Sequence, residues 1–264
     1  MHRLRVASAL LLLLPFLLLV QFGSPLLFHL VISLVIALCA WEFAWLCPDG
    51  ADLDMAILIA VASIGWQWAA ISGAPAAVIA PLLGAGMLVR VLWRAEALRT
   101  GVVRAAWTVF GVAYVGGLLG FGSLLREAPD GRQLVYFLAF ATWAGDVGAY
   151  YVGSRLGRRP LAPAISPKKT VEGALGGAGA TVLVAALGCG WIWPRFPLPT
   201  AIWVAGLLAA AGILGDLAES ALKRAAGVKD SGTMIPGHGG ALDRLDSLFF
   251  GCPVMYGLLW IGWV

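Results

Sequence analysis

Between Gly215 and Asp246 the chain reads GDLAESALKRAAGVKDSGTMIPGHGGALDRLD, a density of ionisable residues found nowhere else along it. Asp216, Glu219, Ser220 and Lys223 recur at the spacing that lines one face of a helix. Gly227, Gly232, Pro236, Gly237, Gly239 and Gly240 then break the helical pattern. Helix resumes at Asp243-Arg244-Leu245-Asp246, where the two aspartates are i, i+3 neighbours. A turn bracketed by carboxylates on two helices lets those carboxylates converge if the helices pack. Carboxylates without thiolates or paired imidazoles suit a hard divalent cation, above all Mg²⁺ shared with a phosphate, with Mn²⁺ as a substitute and room for a second cation. Lys223, Arg224, Lys229 and Arg244 supply positive charge for phosphate oxygens. The glycines let backbone N–H groups approach an anion. A solvated loop with surface ion pairs, such as Lys223 with Glu219, is the plainer reading, but it does not account for so many charges in so apolar a chain. His238, flanked by glycines, is open to two roles: contacting phosphate or moving a proton, or stabilising the turn.

A second polar stretch, DVGAYYVGSRLGRRPLAPAISPKKTVEG, runs from Asp146 to Gly173. Asp146 either pairs with an arginine or joins the carboxylates. Gly153 and Gly157 alternate with Arg155, Arg158 and Arg159, and Ser166-Pro167-Lys168-Lys169-Thr170 precedes a helix with Glu172 in its first turn. Hydroxyls and lysines at a helix start make an anion site, and the same residues can equally anchor the chain at a membrane face. Glu42, beside Trp41, is a weaker candidate that could snorkel or hydrogen-bond a neighbouring helix. Arg90, Arg94, Arg99 and Arg104 mark topology or hold lipid headgroups. His2 and His29 carry no distinguishing pattern.

The elements that must position these residues are membrane helices. Of 264 residues, 61% are apolar and 12% charged, and the mean hydropathy is +0.89. A soluble protein of this length needs more charge to cover its surface. Apolar windows of about 18 residues or more, enough to cross ~30 Å of hydrocarbon, fall near 6–22, 26–46, 55–72, 76–93, 102–124, 133–152, 173–193, 198–217 and 247–263. With the N-terminus inside, 15 of the 18 Lys and Arg residues lie on the cytoplasmic side, leaving Arg126, Arg132 and Arg195 opposite. This asymmetry predicts an all-α, polytopic transmembrane protein of about nine spans, N-terminus cytoplasmic and C-terminus periplasmic. Both polar clusters then face the cytoplasm. The pI near 9.0 follows from that basic inner face and calls for no nucleic-acid partner. Arg3 and Arg5 before a leucine run resemble a signal peptide, yet no A-x-A-like site follows, so an uncleaved first helix is expected. Cys39, Cys47, Cys189 and Cys252 are scattered and read as small apolar residues. No internal repeat is evident. One integral membrane domain over 1–264 is expected, with helical spans in 1–130 and the cytosol-facing motifs in 131–264.

From Ser220 to Asp246 the chain closely resembles the signature of the phosphatidate cytidylyltransferase (CDP-diacylglycerol synthase) family: S-x-apolar-K-R, four residues, K-D, then P-x-H-G-G and D-R-x-D. Ser220, Lys223, Arg224, Lys229, Asp230, Pro236, His238, Gly239, Gly240, Asp243, Arg244 and Asp246 match it. Ala241 stands where a bulkier aliphatic residue is usual, a change in packing. Gly215-Asp216-Leu217, Asp146 and Ser166–Glu172 also look like family features, whereas residues 1–130 contribute span pattern and the Trp41-Glu42 pair. The resemblance implies that CTP and phosphatidate give CDP-diacylglycerol and pyrophosphate at a bacterial inner membrane. It implies Asp216, Asp243 and Asp246 as metal ligands with Asp146 as a further one, and Lys223 and Arg224 with them in catalysis. Substrate contacts would fall to Ser166, Lys168, Lys169, Thr170, Ser220, Lys229, Asp230, His238, Gly239, Gly240 and Arg244. A homodimer is a family-based expectation. Three rivals remain: a CTP-dependent lipid kinase, a CDP-alcohol phosphotransferase whose D-x-x-D-G-x-x-A-R pattern is absent, and a secondary transporter. The transporter calls for a polar midplane site in related halves, whereas the polarity here gathers at one face.

Overall fold

The computed structural model describes residues 13–75, 78–93, 97–189, 197–232 and 239–263. Among these residues the chain is nearly all helix: α1 (Leu13–Phe22), α2 (Pro25–Trp45), α3 (Leu53–Ile71), α4 (Ile79–Trp93), α5 (Leu98–Glu127), α6 (Gly131–Leu156), α7 (Val171–Gly188), α8 (Leu198–Ala225) and α9 (Leu242–Trp260). The exception is an antiparallel hairpin, β1 (Pro160–Ala162) with β2 (Ser166–Thr170), pairing Pro160 with Thr170 and Ala162 with Ser166. Ser166–Thr170 precedes a helix with Glu172 in its first turn, as expected; the segment itself is strand β2, and α7 begins at Val171. By length and composition five helices can cross a membrane: α2, α3, α5, α7 and α8. The helices α1 and α4 are apolar but shorter over their apolar stretches, Leu13–Phe22 and Pro81–Trp93. The helix α6 carries Asp146, and α9 opens on Asp243, Arg244 and Asp246, so neither joins that set.

Local chemistry sets the helix starts. The Ser24 hydroxyl accepts from Leu27 N at 3.2 Å ahead of Pro25, which needs no N–H there. Asp52 caps α3 through Met55 N at 2.8 Å, and Thr170 caps α7 through Gly173 N at 3.1 Å. Glu172 Oε2 accepts from Arg158 N and Arg159 N at 2.9 and 3.1 Å, closing the entry to the hairpin.

The chain packs as two compact units: residues 1–127 with 225–245, and residues 128–224 with 246–264. In the first unit the described residues 225–232 and 239–245, which follow α8, cluster with the N-terminal helices.

In the first unit, α5 is interrupted by a π-helical stretch, Val112–Gly117. A Cβ on Gly111 would lie 2.8 Å from the Phe43 ring, and one on Gly116 would lie 2.5 Å from Ser63 Cα. Bare backbone at these positions lets α5 seat directly on α2 and α3. Beneath it runs a buried polar chain. Gln67 donates to His29 O at 3.0 Å and to Ser123 Oγ at 2.9 Å, and it accepts from Ser33 Oγ at 2.8 Å. His29 Nε2 lies 2.6 Å from Glu127 Oε1. His29, unremarkable in sequence, is therefore part of the polar contact joining three helices. Arg90 and Arg104 lie 3.1 and 3.6 Å from Asp52. Burial alone would raise the Asp52 pKa, but the Met55 N–H and the Arg90 and Arg104 guanidiniums outweigh it and hold the carboxyl below its ordinary value.

In the second unit, α6 and α7 meet along glycine. A Cβ on Gly148 would lie 2.5 Å from Ala180 Cβ, and one on Gly177 would lie 2.7 Å from Gly145 O. Thr181 Oγ1 adds a hydrogen bond to Ala141 O at 3.1 Å. Gly148→Val is expected to lower the unfolding free energy by about 1–3 kcal/mol through overpacking, read from thermal denaturation in detergent. An unchanged melting temperature would mean this close approach is not needed. The cysteines Cys39, Cys47, Cys189 and Cys252 are all free.

Candidate active site

The second unit gathers carboxylates from three helices. Asp216 and Glu219 project from one face of α8, as their spacing predicts, and Asp246 comes from α9. One carboxylate oxygen of each lies within 4.8 Å of the others. The approach depends on Gly215. A Cβ there would sit 2.3 Å from Asp246 O, so only glycine allows the α9 backbone so close to α8. Glu219 is fully buried, while Asp216 and Asp246 are partly exposed. Two lysines flank the group: Lys169 of β2 pairs with Asp216, and Lys223 lies 2.8 Å from Glu219 Oε2. Asp146, from α6, accepts from Ser247 Oγ at 3.0 Å, and the Ser247 N–H donates to Asp246 at 2.7 Å. Asp146 is thus held one residue from Asp246 through Ser247.

Ionised, three carboxylates outnumber two ammonium groups and repel one another at this range. A hard divalent cation relieves that repulsion. The donors fit one, being three carboxylate oxygens within 4.8 Å of one another, with no sulfur or imidazole grouped with them among the described residues. Glu219 belongs to this trio although the signature residues do not include it. Its signal was its position three residues after Asp216 on the α8 face.

The first unit holds a different constellation. Asp243 Oδ2 accepts from Ser231 N, Ser231 Oγ and Gly240 N, each at 2.9 Å. Gly239 adopts φ +79°, and a Cβ on it would lie 2.7 Å from Asp243 Oδ2. These glycines let the turn wrap the Asp243 carboxylate, a service distinct from approaching an external anion. Glu42, buried at the end of α2, accepts from the same turn: from Ala241 N at 2.9 Å, Leu242 N at 2.8 Å and Ser231 Oγ at 3.0 Å.

The remaining sequence-selected residues fall around these two groups. Ser166, Lys168 and Thr170 lie on β2, with Lys168 exposed. Ser220 is partly buried on α8, and the exposed Arg224 donates to Ile165 O at 3.3 Å. Lys229, Asp230 and Arg244 are exposed in the first unit. His238 lies outside the described residues.

The model of the cytidylyltransferase family matches residues 3–261. The phosphatidate cytidylyltransferase of Pseudomonas aeruginosa is 34% identical over 252 residues, covering 89% of each chain. That of Synechocystis sp. is 53% identical over 125 residues, 47% of this chain and 42% of that protein. That of Staphylococcus saprophyticus is 39% identical over 161 residues, 61% of each chain. The match thus spans less than two thirds of the length of the latter two relatives. With the family match running almost end to end, the chain belongs to the cytidylyltransferase family.

Proposed function

We propose that this chain is a phosphatidate cytidylyltransferase, transferring CMP from CTP to phosphatidate to form CDP-diacylglycerol and pyrophosphate. The observation that carries the reading is the carboxylate trio of Asp216, Glu219 and Asp246 with Lys169 and Lys223 beside it. A phosphate oxygen of the lipid attacks the α-phosphorus of CTP. The bond from that phosphorus to the oxygen bridging it to the β-phosphorus breaks, and pyrophosphate leaves with the electron pair. The attacking oxygen is already ionised, so no strong general base is required. Both reactants are polyanions, and their repulsion is the barrier the site must lower.

Asp216, Glu219 and Asp246 would hold the divalent cation, Mg²⁺ in this reading, with Asp146 close enough through Ser247 to serve a second one. Bound there, the cation supplies Lewis-acid neutralisation of phosphate charge. Lys169 and Lys223, each paired with a carboxylate of the trio, would exchange that partner for a phosphate oxygen, with Arg224 beside them. Ser166, Lys168, Thr170, Ser220, Lys229, Asp230, His238, Gly239, Gly240 and Arg244 would contact nucleotide or lipid phosphate, and Asp243 would order the turn that carries several of them.

The family resemblance and the positive-inside asymmetry further support one inner-membrane domain of nine spans, N-terminus and active site cytoplasmic, working as a homodimer on lipid without nucleic acid. The diacyl tails then stay in lipid while the headgroup meets CTP at the boundary. Purified protein in mixed micelles with phosphatidate, α-³²P-labelled CTP and Mg²⁺ should yield labelled CDP-diacylglycerol and unlabelled pyrophosphate one to one, and EDTA should stop it. Phosphorylated lipid with no CDP-lipid would identify a lipid kinase instead. No product alongside an active control enzyme would sink the proposal.

A further inference from the structure

Glu42 is a carboxylate near the end of an apolar helix, only 3% exposed. Burying that charge is strongly unfavourable unless donors satisfy it. Its partners among the described residues all come from one segment, 189 to 200 positions further along the chain. Oε1 accepts from Ala241 N, while Oε2 accepts from Leu242 N and Ser231 Oγ. Two of these donors are backbone N–H groups at the very start of α9, the groups that a helix leaves without partners of its own. The Ser231 hydroxyl is shared, lying 3.0 Å from Glu42 and 2.9 Å from Asp243. The fit is tight: a Cβ on Gly232 would lie 2.7 Å from Glu42 Oε1, and one on Gly240 would lie 2.3 Å from Oε2.

We infer that Glu42 is a positioning residue for the transfer reaction, tying Ser231 to Ala241 and Leu242 at the start of α9 by accepting on both carboxylate oxygens at once. The inference rests on the cytidylyltransferase reading. Its chemistry is specific to a carboxylate. Glutamine is the same size, but its amide nitrogen is a donor, and in either orientation it would face Ala241 N–H or Leu242 N–H. Aspartate retains two acceptors but is one methylene too short to reach all three donors. Neutral but isosteric, Glu42→Gln should therefore behave like Glu42→Ala and not rescue it.

The test compares wild type, Glu42→Gln and Glu42→Ala in micelles. Both variants should lower kcat about 10- to 100-fold, the range expected for lost hydrogen bonds to a charged group. KM for phosphatidate should change less than kcat, because the Glu42 side chain itself touches no substrate group. Amide exchange at Ala241 and Leu242 should quicken by about tenfold or more as the turn loosens. Wild-type kcat in Glu42→Gln overturns the inference, as does unchanged exchange at both amides. If Glu42 variants fail to accumulate, Ser231→Ala carries the test by removing the shared hydroxyl: kcat should fall about 3- to 10-fold, and unchanged kcat with unchanged exchange overturns the inference. A wild-type protein that makes no CDP-lipid sinks the functional reading alone, since the exchange comparison still decides whether Glu42 holds the turn.

Discussion

Asp246→Asn should lower turnover by about 1,000-fold while leaving the protein as stable as wild type or slightly more so. The two halves of that outcome come from the same geometry. Asp246 shares a span of 4.8 Å with Asp216 and Glu219, so in the free protein each ionised carboxylate raises the energy of the others. Asparagine keeps the shape and the hydrogen bond from Ser247 N but removes one of the three charges. Without a cation the fold therefore relaxes, and with one it binds far more weakly. Residues held together against mutual repulsion are retained for activity and not for stability. Melting temperatures without divalent cation, melting temperatures with Mg²⁺, and turnover separate these effects. Wild type should gain stability on adding Mg²⁺ through linkage, whereas Asp246→Asn should gain little. Near-normal turnover in Asp246→Asn, or equal stabilisation of both proteins by Mg²⁺, would remove Asp246 from the cation site.

The contrast with Asp243 shows how far sequence spacing reaches. Asp243 and Asp246 sit three residues apart on one helix and match one signature, so they invite one role. In the structure Asp243 is wrapped by Ser231 and Gly240 donors, while Asp246 meets Asp216 and Glu219. An i, i+3 spacing specifies a shared face, not a shared partner; the partner depends on which distant segment packs there. The same limit explains Glu42. In sequence it is one acid in an apolar helix, and its meaning lies in donors some two hundred residues away.

Other features were legible because their cause is local. The α8 face bearing Asp216, Glu219, Ser220 and Lys223 follows from helical periodicity alone. Apolar windows located the helices because the required length is set by the bilayer, although among the described residues five helices meet that requirement by length and composition. The hairpin of β1 and β2 was not legible. Its strands are three and five residues long and rich in proline, a composition that reads as loop. Its consequence is chemical, since the strand conformation of Lys169 brings that lysine to Asp216. The π-helical stretch in α5 was not legible for another reason: Gly111 and Gly116 meet Phe43 and Ser63 on other helices, which no periodicity within α5 reveals.

Gly215→Ala should reduce kcat by about 100-fold, although no functional group is lost. The added methyl would stand 2.3 Å from the Asp246 carbonyl oxygen and 3.3 Å from the Phe250 ring. Both are fixed in α9, so the strain cannot be relieved by turning a flexible side chain. The two helices must part by roughly an ångström, and a displacement of that size at a reacting centre can cost about 100-fold in rate. The destabilisation should be modest, about 1–3 kcal/mol, as for other overpacked contacts. This pattern differs from that of Asp246→Asn. All three carboxylates survive in Gly215→Ala, so raising the Mg²⁺ concentration should recover part of the lost activity, whereas in Asp246→Asn it should recover little. Titrating Mg²⁺ against turnover in both variants makes the comparison. If Gly215→Ala turns over like wild type at every Mg²⁺ concentration, the close approach of α8 and α9 does not set the spacing of the carboxylates, and the trio must be held by other contacts.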